Sequence, residues 1–281
     1  MAVVKQLHEK TKDKFDKAGI DAPAFNSLCL IEKAFGVSQT DLLADGTQTV
    51  ADTAEFDKLV ERRLSGEPLQ YILGEWEFYG YPLKIGEGVL IPRDDTEVLL
   101  RACLELLKHR RGVRVLDLCS GSGALAVAIA GETDAEVYAV EKSYKALPYL
   151  YDNIRLNNVK VKVIEGDIFE CHKDFEDGFF DLILSNPPYI RSDEIKTLQK
   201  EVGFEPEMAL DGGADGYDFY RAIIGKWSSK LRQNGVMAFE LGEGQLETVK
   251  ELMKLRGFTE IRSEQDFSGI HRAVYGTLNS N

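Results

Sequence analysis

The sequence is poor in cysteine and histidine, and the few it has form no pattern. Four cysteines and four histidines occur in 281 residues, without a C-x-x-C pair or a cluster at metal-ligand spacing. The adjacent Cys171 and His172 have no further ligand at such a spacing. The pattern therefore gives no support for a disulfide-stapled secreted scaffold or a zinc site. We predict reduced thiols and no metal.

Long hydrophobic runs are also missing. No stretch approaches the roughly 20 consecutive apolar residues that cross a bilayer. The first ten residues, MAVVKQLHEK, contain no apolar core of a secretion signal. These absences predict a soluble, cytoplasmic protein without a membrane partner.

The sequence has no excess of positive charge. Lys and Arg number 34 against 47 Asp and Glu, for a net charge of −13. Residues 1–80 alone carry 9 basic and 14 acidic residues, for a net charge of −5. Stable binding of a nucleic-acid backbone needs clustered cations, so we do not expect it. A small nucleotide-like cofactor, which few groups can hold, is compatible with this composition.

The spacing of apolar residues divides the chain into three segments. Residues 1–70 carry apolar side chains three and four apart, which predicts a small helical domain. Residues 71–95 are aromatic, β-branched and broken by glycines, which predicts a β-hairpin linker. From 96 to 281, strands and helices alternate, which predicts an α/β domain with a mostly parallel, doubly wound sheet. The predicted strands are 113–118, 136–141, 161–165, 180–185, 235–241 and 272–278, and the predicted helices are 96–109, 123–130, 143–157, 216–232 and 244–256.

A glycine-rich turn follows the first of these strands. Residues 113–124, VRVLDLCSGSGA, pass from a strand into a helix of small residues. Gly121 and Gly123 permit positive φ, and the helix N-terminus behind them offers free N–H groups. The turn fits the pattern G-x-G-x-x-G/A, which nicotinamide-dependent and S-adenosylmethionine-dependent enzymes share. We therefore expect the backbone at Gly121 and Gly123 to approach a cofactor closely.

Acidic residues at the ends of three successive strands favour one of these cofactors. Asp117 precedes the turn, where a carboxylate suits an ammonium group better than a pyrophosphate. Glu141 ends the next strand and can accept both hydroxyls of a ribose. Asp167 ends the third strand and can accept from an adenine amino group, with Phe169 available to stack on the ring. An ammonium, a ribose and an adenine together describe S-adenosylmethionine.

The motif Asn186-Pro187-Pro188-Tyr189 follows the fourth predicted strand. Neither proline has an N–H, so the backbone presents carbonyl oxygens without competing donors. The side-chain carbonyl of Asn186 adds a second acceptor, and Tyr189 adds an aromatic face. Two convergent acceptors match a planar NH₂ group, a weak nucleophile that gains from orientation. We predict Asn186, Pro187 and Tyr189 as catalytic residues and the whole motif as the substrate site, with Asn186 also touching the cofactor.

Together, DLCSGSG and NPPY resemble the class I amino-methyltransferases, which methylate glutamine amides or the amino groups of adenine and cytosine in DNA. Further segments resemble the release factor glutamine methyltransferases of the HemK/PrmC type. They are GEPLQYILG (66–74), EFYG (77–80), LIPRDDTE (90–97), EVGFEP (201–206), ALDGG (209–213), FELG (239–242) and DFSGIHR (266–272). The resemblance extends in order over residues 55–275.

This resemblance implies a class I S-adenosylmethionine-dependent methyltransferase with a Rossmann-like, mostly parallel seven-stranded sheet. The implied substrate is a class 1 peptide chain release factor, methylated at the side-chain nitrogen (N5) of the glutamine in its Gly-Gly-Gln motif. Asn186 and the carbonyl of Pro187 would hold this amide, and Tyr189 would pack over it. The resemblance also implies that Cys119, Ser120, Gly121, Ser122 and Gly123 form the cofactor loop. Cys119 stands where many members have glycine, and Glu141 where many have aspartate.

Two other functions share part of the pattern. A DNA amino-methyltransferase acting at N6 of adenine uses the same acceptor motif, but it needs a cationic surface for the duplex. A non-enzymatic cofactor-binding fold would not need the intact NPPY motif. We expect the N-terminal domain to dock the release factor, because a tripeptide offers little area for selectivity, and we expect a monomer. Arg93, Thr96 and Glu97 lie at the domain junction, where they either help shape the site or, for Thr96, cap a helix.

Overall fold

The computed structural model describes residues 1–279 of the chain. They fold as two compact units, one containing residues 1–75 and 199–204, the other 76–198 and the chain from 205 onwards. The short segment 199–204 thus packs with the N-terminal helices although it lies late in the sequence. The spacing of apolar residues in the sequence did not predict this packing. The three-part division at residues 70 and 95 stays a prediction.

The first unit is helical, as predicted. Its elements are β1 (Ala2–Val3), α1 (Val4–Lys17), α2 (Pro23–Phe35), α3 (Gln39–Ala44), β2 (Thr49–Val50), α4 (Ala54–Leu64) and α5 (Leu69–Leu73). Its core includes Phe15 of α1, Leu30 of α2 and Phe56 of α4. α4 ends just before Gly66-Glu67-Pro68, because proline cannot continue a helix.

A buried arginine ties the late segment to this helical core. Arg63 is 3% exposed, and its Nε donates to Asn26 Oδ1 over 2.7 Å. Its Nη1 donates to the carbonyl of Glu67, and its Nη2 pairs with the carboxylate of Glu201. One guanidinium therefore joins α2, α4 and the segment 199–204.

A hairpin follows the first unit in the sequence. β3 (Glu75–Phe78) and β4 (Tyr81–Lys84) pair as a two-stranded sheet. The two residues between them, Tyr79 and Gly80, both have positive φ (51° and 79°), as a tight hairpin turn requires. The predicted hairpin is therefore confirmed, but residues 71–73 belong to α5 and are helical rather than extended.

The second unit contains a seven-stranded sheet, as the resemblance implied. Its strands are β5 (Arg114–Leu118), β6 (Glu136–Glu141), β7 (Val161–Glu165), β8 (Phe180–Ser185), β9 (Leu231–Glu240), β10 (Phe258–Gln265) and β11 (His271–Leu278). Their order is β10-β11-β9-β8-β5-β6-β7, with β11 antiparallel to both neighbours and the pairs from β9 to β7 parallel.

All six predicted strands are confirmed, but β10 was missed. Its sequence, FTEIRSEQ, buries only Phe258 and exposes most of its polar side chains. It lies at the edge of the sheet, where one long side has no strand partner and the apolar alternation of a buried strand is not needed.

The five predicted helices of this unit are also present. They are α6 (Thr96–Leu107), α7 (Ala124–Glu132), α8 (Leu147–Leu156), α9 (Asp218–Trp227) and α10 (Leu246–Leu255). α9 is shorter than predicted, because a 3₁₀ turn at Ser228–Lys230 leads into β9, which starts at Leu231 instead of 235. Within residues 1–279, no helix is both long and apolar enough to cross a bilayer.

The strand order creates a crevice in the second unit. From β5 the chain builds β6 and β7 towards one edge, then returns to place β8 on the other side of β5. At such a reversal, ligands bind beyond the carboxyl ends of the parallel strands. The predicted site residues follow the ends of β5, β6, β7 and β8.

Candidate active site

A cavity of about 330 Å³ opens at these strand ends, within the size range of small-molecule sites. It brings together ten of the predicted site residues: Asp117, Cys119, Ser120, Gly121, Ser122, Glu141, Asp167, Phe169, Asn186 and Pro188. Gly123, Pro187 and Tyr189 are not in its lining. Four strands far apart in sequence thus contribute to one cavity.

The glycine turn has the positive φ values predicted at Gly121 and Gly123, and Cys119 shares them. Cys119, Gly121 and Gly123 have φ values of 61°, 55° and 83°. Cys119 thus takes up a conformation that is uncommon for a side chain with a Cβ. Glycine is favoured at position 123, because φ is positive there and a Cβ would lie 2.4 Å from Leu150 Cδ1, which would have to move. Gly123 caps α7, so the helix N-terminus follows the turn directly.

Glu141 holds this turn in place. Its Oε2 accepts the backbone N–H of Gly121 at 2.7 Å, and its Oε1 accepts that of Ser143 at 2.6 Å. The side chain is buried yet lines the cavity. Each carboxylate oxygen has a further lone pair, so Glu141 can still accept from a ligand.

Asp117 is a buried carboxylate without a partner. It is 1% exposed, and neither carboxylate oxygen accepts a hydrogen bond from the described residues. Ser120 Oγ donates to the main-chain oxygen of Asp117 at 2.9 Å. Burial raises the pKa of Asp117 to about 8. Because an unpaired buried charge is costly, this position fits a cationic ligand such as the ammonium of S-adenosylmethionine.

Asp167 and Phe169 form another part of the wall. Asp167 Oδ1 accepts the N–H of Phe169 at 2.9 Å, and Oδ2 pairs with Lys142 Nζ at 2.7 Å. Partial burial alone would raise the pKa of Asp167, but these two donors outweigh it and the pKa lies below its usual value. The Phe169 ring meets Phe219 edge-on, with centroids 5.3 Å apart. Both rings line the cavity and suit a flat ligand such as adenine.

Asn186 lies directly after β8, opposite the start of α6. Its Nδ2 donates to Thr96 Oγ1 at 3.2 Å, which leaves its carbonyl Oδ1 available as an acceptor. Thr96 is the first residue of α6, whose cap position is occupied by Asp95 without a side-chain hydrogen bond. Of the two roles considered for Thr96, the structure therefore supports shaping the site.

Tyr189 is anchored behind the acceptor motif. Its hydroxyl donates to Glu240 Oε1 at 3.2 Å, and its carbonyl accepts from Gln245 Nε2 at 3.0 Å. Burial raises the pKa of Tyr189 well above its usual value. Gly212 packs so closely that a Cβ would lie 2.7 Å from Tyr189 Cα. The predicted packing of Tyr189 over a substrate stays a prediction, as does the carbonyl role of Pro187.

Two further segments of the wall were missed as site residues. They contribute Val89, Leu90 and Pro92 from one segment, and Pro206, Met208 and Ala209 from the other. Glu205 links the two segments, because its Oε2 accepts the N–H of Ile91 at 2.9 Å and its Oε1 pairs with Arg93. Both segments lie within or next to family-like motifs, LIPRDDTE and EVGFEP, which was the available signal.

Known proteins match nearly the whole chain. Residues 6–74 match the family described as PrmC N-terminal domain, and residues 94–202 match the methyltransferase small domain. A release factor glutamine methyltransferase of Thermodesulfovibrio yellowstonii is 40% identical over 244 residues, which cover 85% of this chain and 86% of that protein. One of Geobacter sulfurreducens is 37% identical over 279 residues, covering 98% and 96%. The chain belongs to the release factor glutamine methyltransferase family.

Membership in the release factor glutamine methyltransferase family confirms the predicted enzyme and its fold class, a class I S-adenosylmethionine-dependent methyltransferase. A solved 16S rRNA N2 G1207 methyltransferase of T. thermophilus, in complex with AdoMet and guanosine, shares this fold. It superposes with a TM-score of 0.55 at 22% identity, covering 73% of this chain and 50% of that one. Among residues 1–279, no group of three or more His, Cys, Asp or Glu side chains is placed to hold a metal ion.

Proposed function

We propose that this protein transfers the methyl group of S-adenosylmethionine to the side-chain amide nitrogen of the glutamine in the Gly-Gly-Gln motif of class 1 peptide chain release factors. One observation carries the proposal. Asn186 commits its NH₂ group to Thr96 at 3.2 Å and keeps its carbonyl oxygen for a ligand, in the same cavity as the unpartnered carboxylate of Asp117.

The cofactor assignments follow from the wall of the cavity. Asp117 would bind the ammonium group, Glu141 the ribose hydroxyls, and Asp167 with Phe169 the adenine. The residues Cys119 to Gly123 would contact the cofactor through the turn. When bound, S-adenosylmethionine supplies a methyl group on a positively charged sulfur. The lining is apolar and acidic, and its carboxylates suit a ligand that carries a positive charge.

The acceptor assignments rest on the chemistry of the NPPY motif. Asn186 Oδ1 and the Pro187 carbonyl would accept the two N–H hydrogens of the substrate amide, with Pro188 and Tyr189 fixing the loop. Such a grip orients a nitrogen whose lone pair is delocalised. The nitrogen would bond to the methyl carbon as the carbon–sulfur bond breaks, which leaves S-adenosylhomocysteine, and the methylated amide would then release a proton to water, so no basic side chain is needed. Lys142, a cation in the lining, is paired with Asp167.

The relatives' names favour a release factor over DNA as the substrate. The acidic charge of residues 1–80 also disfavours a duplex. We further propose that the helical N-terminal unit docks the body of the release factor, since the tripeptide alone gives little area. A monomeric state and a cytoplasmic location stay predictions.

The test compares three methyl acceptors. Purified protein and labelled S-adenosylmethionine are incubated with an unmethylated bacterial release factor, with its Gln-to-Ala variant in the tripeptide, and with duplex DNA. We expect label only on the unaltered release factor. Label on DNA alone, or equal label on the Gln-to-Ala variant, would refute the proposed substrate.

A further inference from the structure

The usefulness of Asn186 depends on which end of its amide faces the cavity. The carbonyl end accepts hydrogen bonds and the NH₂ end donates them, yet the two ends are nearly equal in size. Only the carbonyl end can hold an N–H hydrogen of a substrate amide. A neighbouring group must therefore favour one of the two orientations.

Thr96 is the direct partner of this amide. Its Oγ1 lies 3.2 Å from Asn186 Nδ2, and the residue is 3% exposed, so bulk water does not replace it. A hydroxyl can donate or accept. On its own, Thr96 would tolerate either orientation of Asn186.

Glu240 removes this ambiguity. It is the last residue of β9, and the pairing of Ser185 with Phe239 places it beside Asn186. The side chain is 1% exposed, and its Oε1 accepts from the Tyr189 hydroxyl at 3.2 Å. Its Oε2 has no ordinary hydrogen bond among the described residues. An ionised carboxylate can only accept.

Thr96 also interacts with this carboxylate, and its hydroxyl is the group that links the carboxylate to Asn186. Burial raises the pKa of Glu240, and the interaction with Thr96 opposes this by favouring the ionised form. Once its hydrogen points to Glu240, the hydroxyl of Thr96 has only lone pairs to offer Asn186. It must then accept from the NH₂ group.

We propose that Glu240 and Thr96 are positioning residues that keep the carbonyl of Asn186 directed to the acceptor site. The orientation is a property of the protein alone, whereas its effect on methyl transfer rests on the proposed function. Neither residue needs to touch the substrate. They act on the substrate site indirectly: Thr96 donates to Glu240 and accepts from Asn186, and this fixes the orientation of the Asn186 amide.

This arrangement should respond to pH, because burial raises the pKa of Glu240 to about 7. A protonated Glu240 can donate to Thr96, whose hydroxyl is then free to donate to Asn186, and the amide can turn. The amide should therefore hold its productive orientation above about pH 7 and lose it below.

Four other charged or titratable groups face Glu240: Tyr189, Tyr220, Arg272 and Asp95. Burial raises the pKa of both tyrosines well above 10, so they stay neutral near pH 7. Arg272 and Asp95 form an ion pair at 3.1 Å. Glu240 is thus the group in this cluster whose charge changes near neutrality.

The test uses the full-length protein and two readouts. The first follows the side-chain ¹⁵N–¹H signals of Asn186, assigned by their loss in Asn186→Ala, as a function of pH without substrate. The second measures kcat for a release factor and the Kd for S-adenosylmethionine. The variants are Thr96→Val, Thr96→Ser and Glu240→Gln. Glu264→Gln is the matched control, because Glu264 also accepts from a tyrosine hydroxyl (Tyr275, 3.0 Å) but is exposed on β10.

We expect the wild-type signals to show a titration step near pH 7 that is lost in Glu240→Gln. Thr96→Val and Glu240→Gln should lower kcat on the order of 10- to 100-fold with little change in cofactor Kd. Thr96→Ser, which keeps the hydroxyl, should restore most of the activity, and Glu264→Gln should match the wild type.

Asn186 signals at pH 8 that are the same in Glu240→Gln as in the wild type, or wild-type kcat in both Thr96→Val and Glu240→Gln, would overturn the positioning role. Parallel loss of kcat and cofactor binding in both variants would also overturn it, because it would mean collapse of the site. A wild-type protein that shows the titration but does not methylate a release factor would support the positioning role and refute the proposed function.

Discussion

The carboxylate of Glu141 accepts the backbone N–H of Gly121 over 2.7 Å, so the end of β6 fixes the turn that follows β5. The other oxygen of Glu141 accepts from Ser143 N at 2.6 Å. A residue predicted only as a ligand for ribose is therefore also part of the scaffold. Its substitution should affect cofactor binding through both roles.

Glu141→Gln is expected to weaken S-adenosylmethionine binding about tenfold or more, because an amide cannot accept from both backbone N–H groups and a charged hydrogen bond contributes about 1.5–3 kcal/mol. Isothermal calorimetry measures the Kd. The matched control is Glu165→Gln, since Glu165 pairs with Glu141 in register on β7 but is exposed. Equal Kd values for S-adenosylmethionine in the two variants would show that Glu141 does not contribute to cofactor binding.

Asp117→Asn is expected to weaken cofactor binding while making the free protein more stable at pH 8. The folded-state pKa of Asp117 is about 8 against an ordinary 3.8, so the folded state holds its proton longer than the unfolded state. Its contribution to stability is therefore full below about pH 4 and is lost as pH rises towards 8. Asparagine removes this loss, which we place at about 1–3 kcal/mol.

Urea unfolding at pH 5 and pH 8, with calorimetric Kd values, checks both parts of this expectation. The matched contrast is Asp181→Asn on β8. Asp181 is also buried, but its Oδ2 accepts the N–H of Arg114 at 2.8 Å, so this variant should lose stability. Destabilisation of Asp117→Asn at pH 8, with unchanged cofactor affinity, would contradict the role given to Asp117.

Asn186→Ala is expected to lower kcat by about 10²-fold or more, because the substrate nitrogen loses one of the two acceptors that orient it. The Kd for S-adenosylmethionine should change little. Steady-state kinetics and calorimetry separate the two quantities. Asn279→Ala, at an exposed position after β11, serves as the control and should match the wild type. A kcat of wild-type size in Asn186→Ala would rule out the acceptor mechanism.

Arg63→Ala is expected to destabilise the helical unit by about 1.5–3 kcal/mol, the range for a hydrogen bond to a charged group. The buried guanidinium joins Asn26, the Glu67 carbonyl and Glu201. Its neighbour Arg62 pairs with Glu67 at an exposed position, so Arg62→Ala should cost only about 0–1 kcal/mol. Urea unfolding compares the two variants, and equal losses would show that Arg63 has no special role.

Much of the fold could be read from the sequence, because burial leaves a periodic trace. Strands such as β6 and β8 are buried along almost their whole length, and their apolar runs identified them. β10 left no such trace, since it exposes most of its polar residues at the sheet edge. The segment 199–204 was missed because what holds it is an ion pair between Arg63 and Glu201, 138 residues apart.

The site was predicted to a similar degree. Residues that follow strand ends were found, because parallel strands bring their carboxyl ends together. Leu90 and Met208 were missed, since lining a cavity gives an apolar side chain no local pattern.

The sequence by itself determined the fold class, the glycine turn and the acceptor motif, since each depends on local residue types and their spacing. Only the tertiary structure decided how those groups are used. Among the described residues, it left the carboxylate of Asp117 without a hydrogen bond. It also made Glu141 an acceptor for the backbone of the turn and placed Asn186 in hydrogen-bond contact with Thr96, 90 positions away. Which group donates and which accepts in a hydrogen bond depends on the neighbouring side chains, and only the folded chain brings those side chains together.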